Sequence, residues 1–407
     1  MTNRRSFLKQ LGAGTGYVVA AGVASSGRVL GANDRIRIGL IGAGGRGKEI
    51  FRAALRCPGV EAAAVADIYT RRLEEAKALA PGVRTYRDFR RLLDDPSIHA
   101  VLIATPQHQH ALNFVPALQA GKDVYQEKTM AFTPDHARRM HKAFAGSGRV
   151  VQIGMQMNSG PGLEKVQALV GPARMGTLST LETFHYRNAP YGGWLRPIPA
   201  DCDVEHVDWA AFEGEAAHHD FDPQRYLNWR FYWDYSGGNV FENMVHQVGF
   251  WYGALGLGIP ASVTMAGANY RSPKMEVPDA MTVVMNQPEQ LLFTWSASFG
   301  NAYFGEGRDY LFGTLGTVLH DEADQVEYWP QHQRAGSSAP PSAPTQAGYA
   351  DFTLAHMQNF FDCVRSRQEP RCPFDLGFRT AIACQMAIAS YRQGRTVRWD
   401  AEAQTIV

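Results

Sequence analysis

The sequence predicts a doubly wound α/β domain followed by an α+β domain on a largely antiparallel sheet, and three observations support that reading. The apolar run 36–41 leads straight into Gly42, Gly44 and Gly47 in G-x-G-x-x-G spacing, the pattern of a buried strand, a tight turn and a helix. From residue 36 to about 157 apolar strands alternate with helical stretches, as a parallel sheet covered by helices requires. Beyond Gly160 the strand-like runs come grouped, without helices between them, which suits antiparallel pairing.

The three glycines of the first domain have separate roles. Gly42 makes the turn, Gly44 lets backbone N–H groups approach a pyrophosphate, and Gly47 lets the next helix pack closely. A second apolar run, 61–66, ends in Asp67, twenty residues after Gly47. A carboxylate there accepts the adenosine ribose 2′-hydroxyl and repels a 2′-phosphate, so the site reads as a Rossmann dinucleotide site taking NAD rather than NADP. Helices are predicted at 46–57, 70–79, 86–94, 110–120 and 134–146, and strands at 100–104, 123–126 and 150–155. Ligands of such sheets sit at the carboxyl ends of the strands, where the loops collect polar residues.

A helix at 162–169 opens the second domain, followed by a β-rich run at 178–187 and an aromatic-rich excursion to Tyr235. Strands are predicted at 262–268, 281–286, 291–298, 310–313, 317–320 and 398–400, and helices at 352–367 and 376–393. The Pro/Ser/Ala-rich stretch 333–347 reads as a linker. The domain limits are therefore 1–32 for an export segment, 33–157 for the dinucleotide domain and 158–407 for the substrate domain, with the C-terminal helices able to pack back on the first domain.

Composition narrows the partners. Forty basic residues against 39 acidic ones leave a net charge of +1, which offers no nucleic-acid or anionic-membrane footprint and makes a small molecule the default. Five scattered cysteines with no C-x-x-C pair imply neither a disulfide framework nor a zinc knuckle. The spacing of His206, His218, His219 and Asp220 matches no metal site, and no metal is expected. At the N-terminus, Asn3-Arg4-Arg5-Ser6-Phe7-Leu8-Lys9 precedes a Gly/Ala-rich run, 11–24, too short and glycine-rich to span a bilayer. This is the pattern of twin-arginine export, which carries folded proteins to the periplasm, with cleavage after Ala24 or Ala32.

Four stretches could carry chemistry. Thr105-Pro106-Gln107-His108-Gln109-His110 follows a strand and is placed against the nicotinamide ribose, although a histidine at a helix start is otherwise a simple cap. Lys128, after Glu127 at the end of the next strand, can hold a substrate hydroxyl and favour its alkoxide character; a surface ion pair is the plainer alternative. Glu242 and His246 stand at i and i+4 of one helix, so the carboxylate can orient the imidazole as a base; the other reading is a buried histidine satisfied by a local carboxylate. The aromatic cluster 226–235 suits either sugar stacking or core packing. Its members Arg230, Trp233 and Tyr235, with His185 and Arg187, are the candidate substrate contacts.

Taken together, the run 42–47, Asp67, Thr105-Pro106-x-His108-x-His110, the run 120–128 ending in Glu127-Lys128, and Glu242-x-x-x-His246 after a Gly-Gly resemble the glucose-fructose oxidoreductase / inositol dehydrogenase / rhizopine catabolism (Gfo/Idh/MocA) family over nearly the whole chain beyond the export segment. The stretches 228–235 and 359–367 resemble a subset of exported members. The resemblance implies an NAD(P)-dependent oxidoreductase acting on a secondary hydroxyl of a sugar or sugar derivative, and export in the folded state to a compartment with little free NAD implies that the NAD is tightly held. It implies cofactor contacts from Gly42, Ala43, Gly44, Gly45, Arg46, Gly47, Asp67, Thr105, Pro106, His108, His110, Glu127 and Lys128. Lys128 and His246 would act at the substrate carbon, with Glu242 in place of the family's aspartate, and a homo-oligomer would form through the C-terminal sheet. Thr129 stands where the family has proline, and Gly249 where it has a second aspartate. Two rival readings keep the same residues: a redox-neutral glycoside hydrolase, lyase or epimerase working through transient oxidation by bound NAD, and a non-catalytic sugar-binding protein with a vestigial cofactor.

Overall fold

A computed structural model describes residues 35–302, 307–331 and 352–407. The twin-arginine motif and the 333–347 stretch lie outside the described residues. Six parallel strands form the first sheet: β1 Ile36–Ile41, β2 Val60–Ala66, β3 Arg84–Tyr86, β4 Ala100–Ile103, β5 Asp123–Glu127 and β6 Val151–Gly154, in the order β3-β2-β1-β4-β5-β6. β4, β5 and β6 are buried along their whole length, as strands covered on both faces must be. Helices Gly45–Leu55, Thr70–Leu79, His110–Gln119 and Pro134–Phe144 supply the cover. The last starts where Pro134 pre-sets the backbone and the Thr133 hydroxyl accepts the His136 N–H at 3.1 Å. The helix predicted at 86–94 is shorter, Phe89–Leu93, because residues 84–86 pair with β2 as an edge strand and Asp88 then caps the helix.

The second sheet has nine strands: β7 Leu178–Tyr186, β8 Ser262–Ala268, β9 Ala280–Asn286, β10 Leu292–Ser298, β11 Gly307–Gly313, β12 Gly316–Asp321, β13 Val326–Pro330, β14 Val397–Asp400 and β15 Thr405–Ile406. Their order is β13-β12-β11-β7-β10-β9-β8-β14-β15, and every pairing is antiparallel except that of β7 with β10. The predicted class, a Rossmann domain followed by an α+β domain, is the class observed. β13 and β15 lie at the edges of the sheet and had no clear sequence signal.

One face of this sheet packs on helices Val245–Leu255 and Phe374–Gln393, with Trp251 and Trp295 fully buried between them. Helix Phe352–Ser366 instead returns to the first domain, where Met357, Phe360, Phe361 and Val364 share a core with Ile38, Leu40 and Phe51. Just beyond it Arg367 forks onto the buried carboxylate of Asp123 at 2.7 and 2.8 Å. At the carboxyl edge of the first sheet, Lys128 and Thr129 bond Glu242 and Phe241 at the start of the 240–255 helix, and the candidate site lies there.

Candidate active site

The glycine turn is built so that only glycine fits. Gly42 has φ +89°, and a Cβ on it would meet the Ala104 carbonyl at 2.8 Å; a Cβ on Gly47 would stand 1.9 Å from the Gly42 oxygen. Gly44 caps helix Gly45–Leu55, and nothing lies within 4 Å of where a Gly45 Cβ would be, so the helix start is open to an anion. Asp67 follows β2 and is buried; its Oδ2 accepts the Ala43 N–H at 2.6 Å and its Oδ1 the Tyr69 N–H at 2.9 Å. Burial pushes its carboxyl up, opposed by Arg72 and the two N–H groups. Arg72 sits 3.9 Å from Asp67 with its guanidinium over the Tyr226 ring. Gly42, Gly44, Asp67, Arg72, Thr105 and Pro106 line one cavity of about 330 Å³. Open N–H donors at a helix start and a carboxylate at the tip of β2, with a lone pair left on each oxygen, fit a dinucleotide.

The two histidines of the 105–110 loop do not line this cavity. His108 is buried, with Nε2 2.6 Å from the Phe212 carbonyl and its ring against Phe212 and Tyr235; burial holds it down to about 4, so it is neutral. The His110 ring spans the carbonyls of Thr105 and Thr129 and so ties the loop to the turn that follows Lys128. The alternating glutamines, Gln107 and Gln109, turn toward the site instead. Gln109 lines the first cavity, while Gln107 donates to Glu242 Oε1 at 2.7 Å and accepts from Ser236. The tight 3₁₀ turn Gln107–Gln109 explains the exchange, since it directs residues differently from the helix that the loop opens.

A second cavity, of about 300 Å³, adjoins the first and shares Ala104, Thr105 and Trp229 with it. Arg46, Glu127, Lys128, Arg230, Glu242 and His246 line it. Lys128 Nζ donates to Glu242 Oε2 at 2.7 Å and to the Glu242 carbonyl at 3.1 Å. Burial favours protonated Glu242, but the Arg230 and Lys128 charges outweigh it and hold the carboxyl at about 2. Burial, reinforced by the Lys128 and Arg46 charges, pushes His246 well below its ordinary value, so its imidazole is neutral. Glu127 is engaged by Arg46 at 2.9 Å and by Gln156 at 3.2 Å. The Lys128–Thr129 peptide is cis, and the Thr129 hydroxyl donates to the Phe241 carbonyl at 2.8 Å.

Glu242 does not orient His246 as the i, i+4 spacing predicts. Among the described residues its carboxylate bonds Lys128 and Gln107 and pairs with Arg230. The reason is local: Val240–Met244 form a π turn before the regular helix Val245–Leu255, and its wider turn takes i and i+4 out of register. At Gly249 a Cβ would meet Met155 Sδ at 2.3 Å, so an aspartate there would require the Met155 side chain to move.

Of the candidate substrate contacts only Arg230 lines the cavity, its guanidinium 4.3 Å over the Trp229 ring. Trp229, a member of the aromatic cluster expected either to stack on a sugar or to pack in the core, lines it too, along with Gln156 and Asn243, which were not singled out from the sequence. Tyr235 is buried with His108 and Phe212, and Trp233 lies against Tyr391 and Arg392, facing a different cavity. The short turn Trp229–Phe231 presents residues 229 and 230 and then carries the chain away. His185 and Arg187 bond each other at the end of β7 outside the cavity lining, although His185 is near enough to disfavour charge on His246. His206, His218 and His219 form separate pairs with Asp203, Glu213 and Asp234.

Comparison with known proteins agrees with this architecture. Residues 36–155 match the family described as "Oxidoreductase family, NAD-binding Rossmann fold", and residues 211–319 match the "GFO/IDH/MocA C-terminal domain". The chain is 30% identical over 181 residues to an inositol 2-dehydrogenase of Mycolicibacterium smegmatis, 44% of this chain and 52% of that one. It is 28% identical over 194 residues to the rhizopine catabolism protein MocA of Rhizobium meliloti, 47% of this chain and 57% of that one. The chain thus spans about half the length of the curated relatives it matches. Its fold is shared with levoglucosan dehydrogenase solved with NADH and levoglucosan (TM-score 0.70, 18% identity, 90% of this chain and 99% of that one). It is shared also with GenD2 from gentamicin A biosynthesis solved with NAD (TM-score 0.69, 18% identity, 94% and 100%). With the glycine turn, both matched domains and the two-sheet architecture in hand, the chain belongs to the Gfo/Idh/MocA family of oxidoreductases and carries that family's NAD-binding Rossmann domain.

Proposed function

We propose that the chain is an exported, NAD-dependent enzyme that oxidises a secondary hydroxyl of a sugar or sugar derivative and keeps its NAD through turnover. The observation that carries this reading is the adjoining pair of cavities: the dinucleotide features line one, and Lys128, Glu242 and His246 line the other. The glycine turn, Asp67, Thr105 and Pro106 would hold NAD, which supplies the hydride acceptor. Lys128 has three N–H donors, of which two are fixed by Glu242, so one remains for a substrate oxygen. That contact holds the hydroxyl and stabilises negative charge developing on it. His246, neutral and unpaired with Glu242, takes the hydroxyl proton.

The lowered value of His246 gives a pH test with a definite sign. The base form is present above its folded pKa, so kcat/KM falls only as pH drops through a value well below 6.5. No acidic limb at or above pH 6.5 is expected; one there would mean another group is the base.

Asp67 supports NAD over NADP, because its carboxylate faces the place of a 2′-phosphate. Asp67→Ala is expected to relax that preference and to raise NADP affinity, with Arg72, already 3.9 Å away, free to pair with the phosphate. Tighter binding of NADP than NAD by the unaltered chain would reverse the role given to Asp67.

The twin-arginine motif at residues 3–9 supports export in the folded state. Free NAD would be scarce outside the cytoplasm, so the cofactor would be reoxidised in place, either by a second substrate or by the first after elimination, hydrolysis or inversion at a carbon beside the new ketone. Turnover of a sugar and glycoside panel by dialysed protein with no added cofactor is the expected result. Turnover only with added NAD, with NADH released in equal amount, would leave an ordinary dehydrogenase. A homo-oligomer through the outward face of the second sheet is supported by Phe184, Tyr186, Tyr310 and Phe312, which stack there half-buried.

A further inference from the structure

Arg230 is placed as an anion receptor. Its guanidinium carbon lies 4.3 Å over the Trp229 ring, and its Nε is in ion-pair range of Glu242 Oε2 at 3.2 Å. Its buried Nε has no hydrogen-bond partner among the described residues, no hydrogen bond is seen from its Nη groups there, and the side chain lines the second cavity beside Lys128 and His246. An arginine fixed by stacking and backed by a carboxylate loses little freedom when its outer edge is engaged. The lining of that cavity also carries unbalanced charge. Lys128 and Arg230 share the one carboxylate of Glu242, while Arg46 pairs with Glu127 at 2.9 Å and, outside the lining, with Glu49 at 2.6 Å, so the positive excess lies with Lys128 and Arg230. Arg46 Nη2, moreover, is buried with no hydrogen-bond partner.

We infer, resting on the sugar-oxidation reading above, that the substrate is a sugar acid whose carboxylate takes the free edge of the Arg230 guanidinium in a two-point contact. A neutral sugar would leave both Nη groups to weak hydroxyl contacts and the surplus charge uncompensated. A carboxylate meets the planar fork with two parallel N–H···O bonds and cancels the charge. Lys128 is then left to the reacting hydroxyl, so the two cations, neighbours on Glu242 Oε2, engage two different groups of one small molecule.

The test uses the intact NAD-bound protein and three sets of probes: hexuronates of gluco, galacto and manno configuration, the matching neutral hexoses, and the matching hexose 6-phosphates. Binding is measured by titration calorimetry, and kcat and KM by reduction of bound or added NAD. At least one uronate is expected to bind about 30-fold or more tightly than its neutral hexose. Arg230→Met should abolish that difference, chiefly through KM, and Arg230→Lys should recover only part of it. A merely structural Arg230 would weaken neutral and acidic sugars alike and overturn the inference. So would a uronate preference that survives Arg230→Met, the absence of any uronate preference, or preference for the 6-phosphates. Arg230-dependent uronate binding without NAD reduction upholds the inference and removes the oxidative reading, whereas oxidation of neutral sugars indifferent to Arg230 does the opposite.

Discussion

Lys128→Met and His246→Ala will each lower turnover by about 10²- to 10⁴-fold, the range for groups that hold or accept a proton in a transition state, while leaving the bound dinucleotide in place. The two residues line the second cavity, and the glycine turn and Asp67 line or border the first, so neither substitution touches the phosphate or adenosine contacts. Methionine keeps much of the length of lysine without the ammonium, which isolates the loss of the substrate contact from loss of packing. It also removes one of the two cations that hold Glu242 ionised, but Arg230 and Gln107 keep the carboxylate satisfied, so the chain should fold. The measurements are steady-state kcat on the best substrate and the NAD content of each purified variant. Near-wild-type turnover by His246→Ala would return that residue to a structural role and leave Lys128 as the principal polar group at the reacting carbon.

Gly47→Ala should cost NAD affinity about 100-fold or more, because a displacement of about 1 Å at a positioned contact has effects of that order. The added Cβ would lie 1.9 Å from the Gly42 carbonyl oxygen, a backbone atom that can move only if the whole turn opens. Opening the turn withdraws Gly44 and the helix start from the pyrophosphate and loosens the Ala43 N–H that Asp67 accepts. A loss of stability of about 1–3 kcal/mol is expected alongside, as for other overpacked sites. NAD titration and thermal unfolding of the variant check both. Gly45→Ala is the control for stability alone, since its Cβ would meet no protein atom within 4 Å.

Much of this site was legible because strand ends and glycine turns obey strong local rules. The apolar run before Gly42 fixed a buried strand, and in a parallel sheet every such strand delivers its following loop to one edge, which is why Asp67, Thr105 and Lys128 could be brought together from spacing alone. The second sheet was legible in class, because β7 to β12 carry the alternation of buried and exposed residues that half-covered strands need. β3 and β15 are two- or three-residue edge elements that exist through pairing, and periodicity says nothing about so short a stretch. The π turn at Val240–Met244 was hidden because the 3.6-residue period assumes a regular helix, and it sent Glu242 to Lys128 rather than to His246. The exchange of Gln107 and Gln109 for His108 and His110 arose for a related reason: histidine drew attention as a titratable residue, whereas tertiary burial against Phe212 and Tyr235 decided where it went.

The most direct test is to denature the exhaustively dialysed protein and identify the released small molecule by mass spectrometry, with its amount per chain. The account predicts NAD, close to one per chain, in protein that then oxidises a sugar with no cofactor added; NADP, or no nucleotide at all, would contradict it.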